Sequence, residues 1–174
     1  MRRLLLLRHA KAVVATGRND FERDLVERGR RDAARIGAYV AHAGLIPDLL
    51  LHSGAARTRQ TAEAVLACWA RKIETRVEPG LYEATRAAAL AIAAALPERC
   101  ASAMLVGHNP SIGDLANALT DTGAQVELMA MAARFPTAGL AVLEFDVVRW
   151  RDIAVRSAKL LSFVTPEDPR LKAG

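Results

Sequence analysis

Near its start the chain sets four consecutive leucines, Leu4 to Leu7, directly before Arg8, His9, Ala10 and Lys11. An apolar run this short reads as a strand buried on both faces, as in the middle of a parallel α/β sheet. In open sheets of that kind, ligands bind outside the carboxyl ends of the strands. The residues after Leu7 therefore put a guanidinium and an imidazole at the usual ligand position. Taken alone the pair is ordinary loop chemistry. Its weight comes from two further strand ends that carry groups of the same kind.

The connection over 16–23 is polar, with Gly17 and Asn19-Asp20 as turn material. Over 27–42, Ala33, Ile36, Gly37, Tyr39 and Val40 recur at helical spacing, with Arg28, Arg30, Arg31 and Arg35 largely on the other face. Gly44 suits the end of that helix, and His42 beside it reads as a surface residue. A second apolar run, Leu49 to Leu51, leads into His52-Ser53-Gly54, and Ser53 is placed to cap a helix over 55–70. Residues 72–77 read as a short strand and 87–96 as an alanine-rich helix. The third buried strand, 102–106, ends in Gly107-His108. Asn109 as N-cap and Pro110 at the first helical position then start a helix running to Leu119. Residues 121–123 read as a turn, 126–133 as a helix, and 139–147 and 158–164 as the last two strands. The polar tail, 166–174, is expected to be loosely held. Strands alternating with helices predict one α/β domain over 1–174, a three-layer α/β/α sandwich. Its mostly parallel central sheet becomes mixed through the final hairpin.

Three predicted strands thus end in Arg8-His9, in Ser53 with Arg57 close behind, and in Gly107-His108. In a wound sheet these ends share one edge. Arg57 falls in the first turn of its helix, where free N–H groups and the dipole already favour an anion, and His108 precedes the next helix in the same way. Two guanidiniums, two imidazoles and helix N-termini suit a tetrahedral dianion such as phosphate; a carboxylate needs fewer donors.

These residues carry a resemblance. Arg8-His9-Ala10 is similar to the Arg-His-Gly that ends the N-terminal strand in the histidine phosphatase superfamily. Residues Ser53 to Thr61, Ser-Gly-Ala-Ala-Arg-Thr-Arg-Gln-Thr, follow its Ser-x-x-x-Arg-x-x-Gln-Thr pattern, and Val106-Gly107-His108-Asn109 is the third match. The short chain, Glu27-Arg28-Gly29 and Pro136-Thr137-Ala138-Gly139 resemble the SixA-type phosphohistidine phosphatase branch. The resemblance covers nearly the whole chain. It implies a phosphoglycerate mutase-like fold and a metal-independent phosphatase. In that chemistry His9 attacks phosphorus through a neutral ring nitrogen, and water hydrolyses the resulting phosphohistidine. Its other nitrogen needs a fixed partner, expected to be a backbone carbonyl. Arg8 and Arg57 bind the phosphoryl oxygens, His108, protonated against the dianion, adds a donor, and Ser53 contacts phosphate besides capping. Ala10 departs from the family's glycine, which is tolerable where φ is negative. Larger members place a carboxylic acid after the strand that follows the second helix; Glu83 in Leu81-Tyr82-Glu83-Ala84 is the nearest match, expected at the pocket mouth. His52 and Lys11 are expected at the rim.

Composition narrows the partner. The 174 residues hold 24 basic against 19 acidic side chains, and only four of the basic ones are lysines. Arginine suits bidentate recognition of phosphate, but 5% aromatic residues supply no stacking platform, so a nucleic-acid ligand is not expected. The two cysteines, Cys68 and Cys100, read as reduced thiols, and the four histidines lack zinc-ligand spacing, so no metal and no cofactor are expected. No run is long enough to span a bilayer, and Arg8 interrupts the leucines too early for a signal peptide, which predicts a cytoplasmic protein. The expected partner is a phosphate-bearing substrate, foremost a histidine-phosphorylated signalling or phosphocarrier protein. The alternatives are a small phosphomonoester or, without turnover, a phosphate-binding module. The oligomeric state is open.

Overall fold

The computed structural model describes residues 1–15, 17 and 19–171. Among these residues seven strands form one mixed sheet: β1 (Arg2–Arg8), β2 (Leu49–His52), β3 (Glu74–Val77), β4 (Ser102–Gly107), β5 (Thr120–Thr122), β6 (Leu140–Phe145) and β7 (Ala158–Val164). Five helices alternate with them: α1 (Glu27–His42), α2 (Ala56–Leu66), α3 (Arg86–Ala94), α4 (Ser111–Leu119) and α5 (Gln125–Ala133). The strand order is β3-β2-β4-β1-β6-β7-β5. Strands β3, β2, β4 and β1 run parallel, whereas β6 is antiparallel to both β1 and β7.

The four leucines of β1 have no exposed surface. Leu4 and Leu6 join the core against α3 and α4, with Ala89, Ala93, Leu115 and Leu119. Leu5 and Leu7 join the core against α1 and α2, with Ala33, Ile36, Val40, Ala62 and Val65. Successive side chains of a strand point to opposite faces, so an unbroken leucine run demands helices on both sides. The fold supplies them.

Several local expectations shift. Residues 121–123, read as a turn, contribute instead to β5, which pairs parallel with β7. Asp121 and Thr122 are exposed and carry no apolar pattern, so the pairing comes from β7 and not from local preference. Gly123 permits it: a Cβ there would stand 2.9 Å from the Leu160 Cβ. Ser53 is not the cap of α2, which begins at Ala56 after Ala55 without a side-chain capping bond. Helix α4 starts at Ser111, one residue later than expected, with Pro110 at the cap position. Asn109 still serves it, its Oδ1 accepting the Gly113 N–H at 3.3 Å. The tail is held down as far as Leu171, which is buried. Arg170 donates to Asp168, to Ser162 Oγ at 3.0 Å and to the Phe163 carbonyl at 2.8 Å, closing the segment over β7. The rest of the expected loose tail, 172–174, lies outside the described residues, as do Thr16 and Arg18 of the polar connection.

Candidate active site

Strands β1, β4 and β2 are neighbours in one parallel stretch, so their carboxyl ends lie side by side. Arg8 pairs with Gly107 in the ladder, and the His9 N–H continues it by donating to the Gly107 carbonyl at 3.0 Å. His9 and His108 consequently face each other with ring centroids 5.3 Å apart. Both are buried, as are Ser53 and Arg57.

The backbone around His9 is clamped. Its Nδ1 lies 2.8 Å from the Ala10 carbonyl. A carbonyl only accepts, so Nδ1 holds the ring proton and Nε2 keeps its lone pair. The Ala10 N–H donates to Thr61 Oγ1 at 2.9 Å, and Thr61 donates to the Arg57 carbonyl at 2.6 Å. Thus Thr61 of the second motif ties the end of β1 to α2. Ala10 has no positive φ and is fully buried, so its methyl stands comfortably where the family carries glycine. Beyond it, the Lys11 carbonyl accepts the Val26 N–H at 3.0 Å against Gly29, where a Cβ would collide with that same oxygen. From the other side Ala138, in the left-handed region at φ 56°, donates its N–H to the Arg8 and His9 carbonyls at 3.2 and 3.1 Å.

Arg8 donates from Nη1 to the Phe135 carbonyl at 2.9 Å. Arg57 donates from Nη1 to the Asp20 carbonyl at 2.6 Å and from Nη2 to the Asp20 carboxylate at 2.9 Å, and it lies 5.9 Å from the Tyr82 ring. The Tyr82 hydroxyl donates to the same carboxylate at 2.9 Å, and its ring meets His108 edge-on at 5.4 Å. Hydrogen bonds from Arg23 above all, then from Tyr82 and Arg57, hold the Asp20 carboxyl well below the usual range. Asp20 and Tyr82 are site residues that sequence reasoning passed over. Tyr82 stood beside the chosen Glu83, while Asp20 looked like turn material in a polar connection.

Burial pushes His9 down to about 3, with His108, Arg57 and Arg8 adding repulsion, and burial followed by Arg57 pushes His108 down to about 4. Both rings are therefore neutral at pH 7 in the free site. Among the described residues four buried side-chain nitrogens lack a hydrogen-bond partner. Three belong here: Arg8 Nε, Arg57 Nε and His108 Nδ1. Buried polar nitrogens are otherwise almost always satisfied, and three unsatisfied ones on converging residues suit an anionic ligand.

Glu83 is exposed, in the left-handed region at φ 51°, and lines a cleft of about 530 Å³ with Arg86, His108 and Asp114. Neither Arg8 nor Arg57 lines that cleft. His52 is buried, its Nδ1 accepting the Gly54 N–H at 3.2 Å, so it stitches the turn and is not a rim residue. Lys11 is exposed beside Arg134 and Thr137 in a neighbouring cleft. Among the described residues no three His, Cys, Asp or Glu side chains gather to hold a metal ion, and no helix is long and apolar enough to cross a membrane.

A wound α/β sheet with two neutral imidazoles and two unsatisfied arginine edges at its carboxyl end has a site whose free groups suit an anion. Residues 4–99 match the profile of the histidine phosphatase superfamily (branch 1), and the chain belongs to that superfamily. It is a phosphatase of the SixA type. It is similar to a candidate phosphohistidine phosphatase SixA of Agrobacterium tumefaciens, 36% identical at a TM-score of 0.79 over 95% of this chain and 98% of that one. A SixA counterpart from Nakamurella multipartitia is 28% identical with a TM-score of 0.79 over 96% and 97% of the two chains. A protein histidine phosphatase SixA complexed with tungstate, 20% identical over 94% and 97%, shares the fold at a TM-score of 0.75. An uncharacterized protein of Mycobacterium tuberculosis is 30% identical over 162 residues, spanning 92% of this chain and 99% of its own.

Proposed function

We propose that this phosphatase removes phosphoryl groups from phosphohistidine on a protein partner, with His9 as nucleophile. The observation that carries this reading is the His9 tautomer: Nδ1–H bonded to the Ala10 carbonyl leaves Nε2 a lone pair at the strand end. Nε2 attacks phosphorus, the bond from phosphorus to the leaving nitrogen breaks, and that nitrogen takes a proton from solvent. Water then attacks the phosphorus on His9, releasing phosphate and restoring Nε2. The Nε edges of Arg8 and Arg57 would receive the phosphoryl oxygens and offset the charge that spreads in the transition state. His108 would add a third donor.

Glu83 fits the role of proton donor only for a poor leaving group such as an alcohol. A phosphohistidine leaves as an imidazole and has less need of it. The exposed walls of the cleft beside His108, Glu83 and Arg86, favour a side chain delivered on a protein surface. The test is phosphate release in EDTA from a phosphohistidine protein and from an aryl phosphate, with wild type and His9→Ala. Release from the first substrate by wild type alone supports the reading. Preference for the aryl ester turns it toward small molecules, and unchanged activity of His9→Ala overturns the mechanism.

A further inference from the structure

His108 is tied to the protein through one ring nitrogen and free at the other. Its Nε2 lies 2.7 Å from Ser53 Oγ, whereas Nδ1 is buried and unpartnered. The direction of the bond at Nε2 follows from the far end of a short chain of hydroxyls. Thr58 Oγ1 donates to the Ala55 carbonyl at 2.9 Å, which uses its single proton. In its 2.8 Å contact with Ser53 Oγ, Ser53 is therefore the donor. With that proton committed, Ser53 accepts from the Ala55 N–H at 3.4 Å and from His108 Nε2–H. A neutral imidazole has one N–H, so Nδ1 carries a bare lone pair. Ser53 is 1% exposed and Thr58 wholly buried. With one bond donated and two accepted, the Ser53 hydroxyl has none left for a phosphoryl oxygen and acts through His108.

Nδ1 is unsatisfied together with Arg8 Nε and Arg57 Nε. The two guanidinium edges attract a dianion, and a lone pair beside them repels it. In the empty site the surroundings keep the ring in this neutral state. Burial is the largest influence, and Arg57 from α2, Arg8 from β1 and Arg23 from the polar connection oppose a further positive charge. Asp20 favours one, but its carboxylate is already shared among Arg23, Arg57 and Tyr82. His9 and Tyr82 face the ring at 5.3 and 5.4 Å, and Glu83, Arg86 and Asp114 line the cleft beside it. A dianion at the two arginine edges adds two negative charges, which turns the balance toward an imidazolium.

We propose that Ser53, oriented by Thr58, is a positioning residue that fixes His108 as the Nε2–H tautomer, so that the site takes up a tetrahedral dianion together with one proton on Nδ1. The proposal deepens the phosphatase reading and rests on it for the place of the anion, but proton uptake is an equilibrium property that needs no turnover. The proton comes from solvent. Nδ1 gains an N–H aimed at an anion oxygen, no bond in the anion breaks, and Nε2–H stays on Ser53. His108 donates to a phosphoryl group only in this form.

Sulfate is the probe, because it is a tetrahedral dianion with no proton of its own near neutrality. Calorimetry of sulfate binding to the whole protein at pH 7, in buffers of different ionisation heat, reads the protons taken up. About one proton is expected, with affinity falling about tenfold per pH unit around neutrality. His108→Gln, whose amide donates without titrating, should bind sulfate with no uptake. Ser53→Ala leaves Nε2–H without its acceptor, which frees the single ring proton to move to Nδ1, so uptake should fall below about half a proton. His9 carries the other lone pair of the site, and His9→Ala should keep the full uptake. Sulfate binding without uptake in wild type overturns the proposal, as does full uptake in either His108→Gln or Ser53→Ala. Uptake of one proton by a protein that hydrolyses neither test substrate supports the proposal while removing the phosphatase reading; hydrolysis without uptake does the reverse.

Discussion

Arg57 and Asp20 meet through two hydrogen bonds at once, Nη1 to the Asp20 carbonyl at 2.6 Å and Nη2 to its carboxylate at 2.9 Å. The end of the guanidinium is thus engaged by the protein itself, and the edge carrying Nε is left without a partner. A guanidinium held by one edge presents the other at a fixed angle, which is how a flexible side chain becomes a phosphate cradle. Asp20→Ala should therefore weaken inhibition by inorganic phosphate about tenfold, with a smaller effect for Asp20→Asn, whose amide oxygen still accepts. Equal phosphate affinities in all three proteins would count against Asp20 as the support of Arg57.

Charge alone does not replace the fork. Lysine has three donors on one point and no planar edge. Arg57→Lys and Arg8→Lys are each expected to lower kcat/KM about 100-fold, the usual loss of one preorganised transition-state donor. Steady-state kinetics on the phosphohistidine protein decides this; a loss confined to KM would mean that the arginines bind substrate and transition state alike.

The two buried histidines set the acid behaviour. His9 titrates at about 3 and His108 at about 4 in the folded protein, against 6.5 for an unperturbed ring. Between those values the unfolded chain binds more protons than the native one, so stability rises with pH across the window. This contribution is present above 6.5 and is lost as pH falls toward 3 to 4. Asp20, also held below its ordinary value, adds to the loss at the acid end with the same sign. Thermal midpoints measured from neutral pH downward should fall through this range, and less steeply in His9→Ala. The acid limb of kcat/KM, which reports the free enzyme, should lie below the ordinary imidazole range, because Nε2 of His9 stays unprotonated there.

Glu83 is expected to matter by substrate. Glu83→Gln should leave phosphohistidine hydrolysis within about twofold of wild type and slow hydrolysis of an alkyl phosphate about 100-fold, the range typical of a lost general acid. Full activity on the alkyl ester would remove Glu83 as an acid and leave it a solvated wall of the cleft.

Leu6 bears on stability with no contact to the site. It is fully buried between β1 and the α3–α4 layer, so Leu6→Ala should cost about 2–5 kcal/mol through lost burial and the cavity left behind. Denaturant unfolding measures it, with catalysis per folded molecule little changed.

Three things were legible in the chain itself. The run Leu4 to Leu7 required a strand covered on both faces, since adjacent residues of a strand cannot share a side. The convergence of Arg8, His9, Arg57 and His108 was legible because each stands at or just after the end of a strand that the apolar pattern locates. The segments 27–42 and 102–106 declared themselves by spacing and by apolar content. Other features depended on residues far apart in sequence. Strand β5 exists because β7 offers it a ladder, and the tail packs because Arg170 finds oxygens on β7. Asp20 reaches Arg57 across 37 positions and Tyr82 across 62, and no local pattern encodes a hydrogen bond between side chains that only the folded backbone brings together. Ser53 shows the same division: its position before a helix suggested a cap, and its hydroxyl instead meets the His108 ring, 55 residues away. Local sequence determined which groups stand at the strand ends. Tertiary structure decided which of their edges the protein satisfies and which it leaves for a ligand, because that depends on distances the chain acquires only on folding.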